Sequence, residues 1–276
     1  MSIKSLPAAT ARQLRLVTFD ITGTLLNFRR SPGEQYSDVA MQMGVHAEPS
    51  ELADGFMRQW RILCKQHPNF GAATGLPWHS WWSTLVRQTF LSAPSLRIND
   101  IQGLGQSAET RLASVADRLI EAYSTDECWS VAEGAVGTLT SLQREGLLLG
   151  VISNFDSRLD RLLASVGLRD FFAFAMASYE LGVAKPDARI FQEALRKAGG
   201  VLRGTLGPHE ACHVGDTPSS DYVGAKGAGW HAVLVSKDQK SMDERFEVDP
   251  GHVVRSLKEL ELYLLEERKH TKSLGM

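Results

Sequence analysis

Residues 14–24 read Leu-Arg-Leu-Val-Thr-Phe-Asp-Ile-Thr-Gly-Thr, and the interpretation of the whole chain rests on this stretch. A mainly apolar run leads into Asp20 and then into a turn that contains Gly23, which is typical of a buried strand followed by a loop. Asp20 is therefore expected at the carboxyl end of a strand, where open α/β sheets bind their ligands. The backbone amides of the following loop are expected to be free to hold an anion.

Beyond residue 130 the chain alternates apolar segments with amphipathic ones. Strands are predicted, after the first, at 147–153, 171–178, 212–215 and 231–235. Helices are predicted at 133–145, 156–166, 187–198, 218–228 and 253–268, and the pair Gly199-Gly200 is expected to end the third of them. Strands that alternate with helices of this length are typical of βαβ units and a parallel sheet. We therefore predict an α/β protein with a Rossmann-like, doubly wound parallel sheet.

A helical segment over residues 31–125 interrupts this alternation. It opens with Ser31-Pro32-Gly33-Glu34, a capping box with proline at the first helical position. Further helices are predicted over 50–66, from residue 77 and over 106–123. The predicted organisation is a discontinuous α/β core over 1–30 and 126–268, an inserted helical cap over 31–125 and a disordered tail over 269–276, with residues 1–16 as a short arm before the first strand.

The composition is that of an ordinary globular protein, with 43% hydrophobic and 22% charged residues. A formal net charge of −2 gives the protein no overall electrostatic attraction to nucleic acid or to an anionic membrane, so neither is a predicted partner. No apolar stretch of the sequence approaches the roughly 20 residues of a membrane span. Its three cysteines are widely spaced, as expected of reduced thiols in an intracellular protein. We predict a monomer or weak dimer inside the cell, with the cytoplasm preferred and the nucleus and mitochondrion left open.

Polar residues stand at the ends of the predicted strands and at the start of one helix. They are Asp20, Ser153, Asn154, Lys185, Asp216 and, five positions further on, Asp221. Asp20 and Asp216 can share a Mg²⁺ ion, which prefers hard oxygen ligands. The hydroxyl of Ser153 and the ammonium of Lys185 can hold the oxygens of a phosphoryl group. One carboxylate can attack phosphorus and form an acyl phosphate. Each residue alone is also typical of a turn or helix cap, so the order of the sites carries the prediction.

In this order the sites resemble the four motifs of haloacid dehalogenase superfamily hydrolases that carry a helical cap between the first two motifs. The motifs are Asp20-Ile-Thr-Gly-Thr24, Ser153 within Val-Ile-Ser-Asn, Lys185, and Gly215-Asp216-Thr-Pro-Ser-Ser-Asp221. The resemblance extends over about residues 14–262, which is nearly the whole chain. It implies Mg²⁺ as the cofactor and a small phosphorylated molecule as the substrate.

The resemblance also implies which residues hold the metal ion. Asp20 would be both the nucleophile and a Mg²⁺ ligand. The backbone carbonyl of Thr22 and the carboxylate of Asp216 would be further ligands, and Asp221 would support the metal site.

The remaining motif residues would act on the phosphoryl group and on the first loop. Ser153 and Asn154 would bind the phosphoryl group. Lys185 would neutralise the nucleophile and the transferring charge, and Thr24 would steady the loop that follows the first strand.

Thr22 departs from the phosphatase pattern of the superfamily. In that pattern a second aspartate, two positions after the nucleophile, protonates the leaving alcohol and then activates water, which is worth about 10²–10⁴ in rate. A threonine hydroxyl cannot do this near neutral pH. The motif is closer to the Asp-Lys-Thr-Gly-Thr of P-type ATPases, which forms a longer-lived aspartyl phosphate. Two alternatives follow: a slow Mg²⁺-dependent phosphatase acting on a small phosphate ester, or a weakly active or inactive pseudo-hydrolase that binds a ligand or a protein partner.

Two further patterns each have two interpretations. His209-Glu-Ala-Cys-His213 satisfies the zinc metalloprotease pattern H-E-x-x-H, which works only on a helix. Here the pattern runs into a predicted strand, so we do not expect a zinc site. Trp78, Trp81 and Trp82 have helical spacing and either pack in the interior of the cap or form an aromatic wall that faces a substrate.

Overall fold

The computed structural model of the protein describes residues 6–98, 107–237 and 245–274. The chain forms two compact units. The core unit comprises Met1–Asn27, Val131–Asn154 and Gly167–Met276, and the helical unit comprises Phe28–Ser130 and Phe155–Val166. Residues 155–166, which follow a predicted core strand, thus group with the helical unit rather than with the core.

Strands and helices alternate along most of the described residues. The strands there are β1 Leu16–Phe19, β2 Leu26–Phe28, β3 Val45–His46, β4 Arg97–Ile98, β5 Trp129–Val131, β6 Leu148–Ser153, β7 Phe174–Ala177, β8 Ala211–Gly215, β9 His231–Val235 and β10 Val253–Val254. The α-helices are α1 Ala8–Gln13, α2 Pro32–Met41, α3 Pro49–Gln66, α4 Trp78–Leu91, α5 Ala108–Ala122, α6 Ala135–Arg144, α7 Leu159–Ser165, α8 Ser178–Leu181, α9 Ala188–Leu202, α10 Gly224–Gly227 and α11 Leu257–Leu274. Short 3₁₀ segments include Asn69–Thr74 and Pro208–Glu210, and a π-helical turn lies at Pro218–Val223.

The core unit is built on one parallel sheet of six strands in the order β10-β9-β8-β1-β6-β7. Leu16 of β1 is opposite Leu148 of β6 on one side and Ala211 of β8 on the other. After β1 the chain adds β6 and β7 on one side of that strand, and it later adds β8, β9 and β10 on the other side. The strand order therefore reverses at β1. The carboxyl ends of strands at such a reversal are where doubly wound sheets bind their ligands. The predicted α/β class with a Rossmann-like parallel sheet is confirmed.

The strands of this sheet are apolar because both of their faces are covered. Every residue of β1 and of β8 is buried, as expected of strands in a parallel sheet. Leu16 and Ile152 belong to an apolar cluster that also contains Phe191 and Trp230. The sheet edge that carries the polar residues therefore rests on a closely packed interior.

The helical unit packs α2, α3, α4 and α5 around an apolar cluster that includes Val86, Phe90 and Leu112. The predicted capping box is present at the start of α2: the Ser31 side chain accepts a hydrogen bond from the Glu34 N–H, and the Ser31 N–H donates to the Glu34 carboxylate at 2.9 Å. β3 and β4 form an antiparallel pair that was not predicted, because two residues per strand are too few to show a periodic pattern.

The end of α9 differs from its prediction. The helix continues through Gly199 and Gly200 to Leu202. A Cβ at residue 199 would lie 2.7 Å from the carbonyl oxygen of Gly204, so this glycine is needed for a close approach of the chain and does not end the helix. Arg203, with a left-handed φ of +52°, ends it, and its N–H donates to the carbonyl of residue 199.

The two ends of the chain also differ from the prediction. The last helix starts at Leu257 and continues to Leu274, so the tail predicted over 269–276 is helical up to that residue, and residues 275–276 lie outside the described part. The predicted arm contains α1, and the Leu6 N–H donates to the carbonyl of Tyr263 at 3.0 Å. None of the helices in the described residues has both the length and the apolar character needed to cross a membrane.

Candidate active site

The site forms where three neighbouring strands of the core unit end. Asp20 follows β1, Ser153 is the last residue of β6, and Asp216 follows β8. The parallel register of β1 with both neighbours brings these residues to the same edge of the sheet. The main chain of Asp20 is held there by its N–H, which donates to the carbonyl of Val214 at 2.8 Å.

Two glycines allow the loops of the site to approach the carboxylates. Gly23 has a φ of +81°, and a Cβ there would lie 2.2 Å from Asp216 Oδ2. A Cβ on Gly215 would lie 2.2 Å from the carboxyl carbon of Asp221. Any larger residue at either position would displace a carboxylate, and at residue 23 the backbone conformation also favours glycine.

Lys185 joins two of the carboxylates. Its Nζ is 2.7 Å from Asp20 Oδ1, 2.7 Å from Asp221 Oδ1 and 2.7 Å from the carbonyl oxygen of Ile152. The side chain is only 1% exposed, so the ammonium group donates its three hydrogens to these oxygens at the short distances of charge-assisted bonds. The fixed ammonium group holds the predicted nucleophile in one orientation.

Asn154 fixes the main chain of Lys185. Its side-chain Nδ2 donates to the Lys185 carbonyl at 3.0 Å, and its Oδ1 accepts from the Lys185 N–H at 2.8 Å. Because both the oxygen and the nitrogen of the amide are engaged in this way, Asn154 positions the main chain of Lys185. Phosphate binding by this side chain stays a prediction.

Two buried hydroxyl groups lie in the same part of the core unit. The side chain of Ser153 is buried, and its hydroxyl opposes the rise in the pKa of the Asp20 carboxyl, as a donor beside that carboxylate would. Thr24 Oγ1 has no hydrogen-bond partner among the described residues, and the Thr24 N–H donates to the carbonyl of Ile21 at 3.3 Å. The role of Thr24 in steadying the loop stays a prediction, because the contact seen there comes from the main chain and not from the hydroxyl.

The turn after Asp20 uses its own amides. The Leu26 N–H donates to the Ile21 carbonyl at 2.8 Å, and the Gly23 N–H donates to the Leu26 carbonyl at 2.8 Å. These amides are therefore engaged within the turn. The expectation that amides of this loop hold an anion stays a prediction for the N–H groups of Ile21 and Thr22. The bonds do not use the carbonyl of Thr22, which stays a predicted metal ligand.

Three carboxylates share the site with one ammonium group. Burial raises the pKa of Asp20, although Lys185 opposes the change. Burial and the charges of Asp20 and Asp221 raise the pKa of Asp216 to about 7. Burial alone would lower the pKa of Lys185, but the two carboxylates outweigh it and raise that pKa. The excess of negative charge is what a bound cation would relieve.

The carboxylates fit a divalent metal ion. One oxygen from each of Asp20, Asp216 and Asp221 can be chosen so that all three lie within 4.8 Å of one another. The set contains hard oxygen donors alone, which suits Mg²⁺ better than the softer transition metals. Asp221 is also held by other groups, since its Oδ2 accepts from the Thr217 N–H at 2.9 Å.

His213 also belongs to this cluster, although the sequence suggested it only as a zinc ligand. Its Nδ1 is 2.8 Å from Thr18 Oγ1, and its Nε2 is 3.4 Å from both Asp221 Oδ1 and Lys185 Nζ. Burial and the charge of Lys185 lower the pKa of His213 to about 4, so the imidazole is neutral near pH 7. The sequence did contain a signal for this contact, because Thr18 and His213 are polar residues in strands that are otherwise apolar.

The pattern H-E-x-x-H is divided between two elements. His209 lies in the 3₁₀ segment Pro208–Glu210, whereas His213 lies in β8, so the two histidines do not share a helix face. The predicted strand at His213 is therefore present.

The tryptophans of α4 pack within the helical unit. Trp81 is fully buried, and its ring centre lies 5.2 Å from that of Trp60 and 5.4 Å from that of Phe70. The interpretation as interior packing is therefore correct for Trp81. Trp82 donates its indole N–H to Asp156 Oδ2 at 2.7 Å.

Asp156 forms a buried ion pair with Arg158 in the helical unit. Arg158 donates from Nε to Asp156 Oδ1 at 2.8 Å and from Nη2 to Oδ2 at 2.7 Å. Its guanidinium carbon lies 4.9 Å from the ring centre of Trp82 and 5.2 Å from that of Trp78, and Nη1 donates to the carbonyl of Ile120 at 3.3 Å. One cation meets one carboxylate, so the pair carries no excess charge.

Comparison with known proteins places this geometry in a family. The model for haloacid dehalogenase-like hydrolases matches residues 14–229. Human haloacid dehalogenase-like hydrolase domain-containing protein 3 is 39% identical over 250 residues, which cover 90% of this chain and 92% of the human protein.

Solved structures show the same fold. The 2-haloacid dehalogenase from Pseudomonas syringae pv. Tomato DC3000 has a TM-score of 0.60 at 24% identity and covers 92% of this chain and 99% of its own. The HAD phosphatase from Thermococcus onnurineus has a TM-score of 0.59 at 21% identity and covers 90% of this chain and 96% of its own. Together with the motifs at the strand ends, the family model and the human relative show that the chain belongs to the haloacid dehalogenase-like hydrolases.

Proposed function

We propose that the protein is a Mg²⁺-dependent phosphatase that hydrolyses a small phosphate ester through an aspartyl phosphate on Asp20. The observation that carries the proposal is the contact of Lys185 Nζ with Asp20 Oδ1 at 2.7 Å, in a site that holds two further carboxylates. This contact orients the carboxylate for nucleophilic attack on phosphorus. The family of hydrolases to which the chain belongs supports the same reaction class.

The proposed metal ligands are the carboxylates of Asp20 and Asp216 and the carbonyl of Thr22, with Asp221 in support. When bound, Mg²⁺ would neutralise charge on the phosphoryl oxygens and orient the group for in-line displacement. Lys185 would neutralise a further part of the charge, because its ammonium group is fixed beside the nucleophile.

The proposed reaction has two displacements at phosphorus. In the first, an oxygen of Asp20 bonds to phosphorus and the bond to the leaving alcohol breaks. In the second, water attacks the aspartyl phosphate, which releases inorganic phosphate and restores the carboxylate. Ser153 and Lys185 would hold the phosphoryl oxygens in both steps. Thr22 supplies no acid for the alcohol and no base for the water, so esters with poor leaving groups should react slowly.

A pseudo-hydrolase that binds a ligand or a protein partner is the second candidate. Thr22 is the observation that favours it, because the acid and base function is absent at this position. Dehalogenation, for which the Pseudomonas enzyme is named, has less support here. The set of Lys185, Asp216 and Asp221 is better suited to a metal ion and a phosphoryl group than to a halide.

A panel of phosphate esters assayed with Mg²⁺ tests the proposal. Wild type and the control Asp170→Asn, which changes an exposed aspartate of the core unit, should release phosphate, whereas Asp20→Asn should not. Acid-quenched wild type should carry phosphate on the peptide that contains Asp20. Equal activity of wild type and Asp20→Asn would overturn the assignment. Bound Mg²⁺ without turnover of any ester would favour the pseudo-hydrolase.

A further inference from the structure

Two polar side chains lie within the apolar strands at the centre of the core unit. Thr18 of β1 and His213 of β8 are opposite each other in the parallel register, and they are 0% and 1% exposed. Thr18 Oγ1 lies 2.8 Å from His213 Nδ1. Burying a hydroxyl and an imidazole is unfavourable unless both are hydrogen-bonded, so this pair needs an explanation beyond packing.

The contact with Thr18 indicates which nitrogen of the imidazole carries the hydrogen. Within the described part of the chain, His213 Nδ1 is the side-chain partner of Thr18 Oγ1. If Nδ1 carried the hydrogen, the hydroxyl would accept it, and its own hydrogen would be left buried without an acceptor. The contact therefore favours a Thr18 hydroxyl that donates to a bare Nδ1, with the hydrogen of the neutral ring on Nε2.

The contacts of Nε2 lead to the same tautomer. Lys185 donates its three hydrogens to oxygens of Asp20, Asp221 and Ile152, all at 2.7 Å, so none remains for a lone pair on Nε2. A carboxylate only accepts hydrogen bonds, and Asp221 Oδ1 is 3.4 Å from Nε2. A lone pair on Nε2 would be repelled by this oxygen, whereas an N–H is attracted to it.

We infer that His213 is a positioning residue, which holds Asp221 through Nε2–H so that Asp221 in turn keeps the Lys185 ammonium on Asp20. The Thr217 N–H holds the other oxygen of Asp221 at 2.9 Å, so the carboxylate is restrained at both ends. The 3.4 Å separation is longer than a strong hydrogen bond. His213 therefore orients the Asp221 carboxylate, and the hydrogen bond between the two side chains is itself weak.

The tautomer can be measured by long-range ¹H–¹⁵N correlation on ¹⁵N-histidine-labelled protein, with His213→Gln used to assign the signals. We expect hydrogen on Nε2 and a bare Nδ1 at neutral pH. Thr18→Val should leave the hydrogen on Nε2 and shift the Nδ1 resonance, because the ring loses only its donor. Hydrogen on Nδ1, or an Nδ1 resonance that is the same in Thr18→Val, would overturn the inference.

The consequence for the reaction rests on the proposed phosphatase function and is tested with p-nitrophenyl phosphate and Mg²⁺. The amide nitrogen of glutamine can replace Nε2, whereas asparagine is too short and phenylalanine has no donor. His213→Gln should keep most of the kcat, while His213→Asn and His213→Phe should lower kcat about 10- to 100-fold with little change in KM, the usual range for residues that orient a metal site.

Equal losses in the glutamine and asparagine variants would contradict a positioning role, since a loss of packing alone would produce that result. Melting temperatures identify a variant that fails to fold. If His213→Phe does not fold, the comparison of His213→Gln with His213→Asn still tests the inference. If wild type shows no Asp20-dependent turnover, the proposed function fails. The tautomer measurement still decides the role of His213, because it requires no reaction.

Discussion

The core unit and the helical unit each bury a cluster of charged side chains, but the charges are balanced in only one of them. In the helical unit Arg158 meets Asp156, and Trp82 completes the hydrogen bonds of the carboxylate. In the core unit the ammonium group of Lys185 meets two carboxylates, and a third lies in the same group. Burial of charge is therefore not in itself a sign of function. A buried cluster with unbalanced charge does indicate a functional site, because the protein alone does not compensate the excess charge.

Arg158→Met tests whether the helical-unit cluster is purely structural. It leaves the buried carboxylate of Asp156 without its cation, and the free energy of unfolding should fall by about 3–5 kcal/mol. Urea unfolding followed by tryptophan fluorescence measures the change. The double variant with Asp156→Leu is the control and should recover most of the loss, since replacing a whole buried pair by apolar groups is often neutral. A double variant as unstable as the single one would contradict the comparison.

Lys185→Ala tests the cluster of the core unit. It leaves Asp20, Asp221 and an incoming phosphoryl group with one cation fewer, and kcat/KM should fall by about 10²–10³, which is the usual effect of removing one group that stabilises charge in the transition state. Steady-state kinetics on the best ester of the panel measure it. We expect the loss to exceed that of any single substitution in the helical unit. An unchanged rate would place the active site elsewhere.

Thr22→Asp adds the acid that the core cluster lacks. Turnover of alkyl phosphates should rise by up to about 10², because an alkoxide leaves poorly unless it is protonated. The gain should be smaller for p-nitrophenyl phosphate, since nitrophenolate leaves without help. Parallel assays of the two substrates check the difference. A variant that binds Mg²⁺ but stays inert on every ester would support the pseudo-hydrolase instead.

The smallest expected effect is the pH dependence of metal binding. The raised pKa of Asp216, about 7, means that this group favours the folded apo protein at low pH and that this contribution is lost as the pH rises through 7. Mg²⁺ needs the ionised form, so its affinity should be about tenfold higher near pH 8 than near pH 6. Calorimetry at both pH values measures this, with Asp216→Asn as the control. An affinity that is independent of pH would indicate that Asp216 is not a ligand.

Local signals in the sequence were sufficient for the architecture and for the strand-end residues. Apolar runs and the Ser31 capping box predict elements from neighbouring residues, and the order of Asp20, Lys185 and Asp216 along the chain is visible without a structure. The clustering of these residues follows from parallel strands having their carboxyl ends at one edge of the sheet.

The contacts that refine the site leave no such signal. Thr18 and His213 are 195 positions apart, and Trp82 and Asp156 are 74 apart, so no periodic pattern connects either pair. Gly199 looks like the end of a helix because its real constraint, the carbonyl of Gly204, appears only when the chain has folded back. Specific pairing between distant residues is the part that the sequence pattern did not supply.

The grouping of residues 155–166 with the helical unit has a consequence for chimeric proteins. α7 is tied to the rest of that unit by the ion pair of Arg161 with Glu121 and by the Asp126 N–H, which donates to Ser165 Oγ at 2.9 Å. A transplant of residues 28–130 alone would separate Trp82 from Asp156 and leave α7 facing foreign side chains. Exchange of the helical unit between relatives therefore requires four junctions rather than two, because both Phe28–Ser130 and Phe155–Val166 must be moved together.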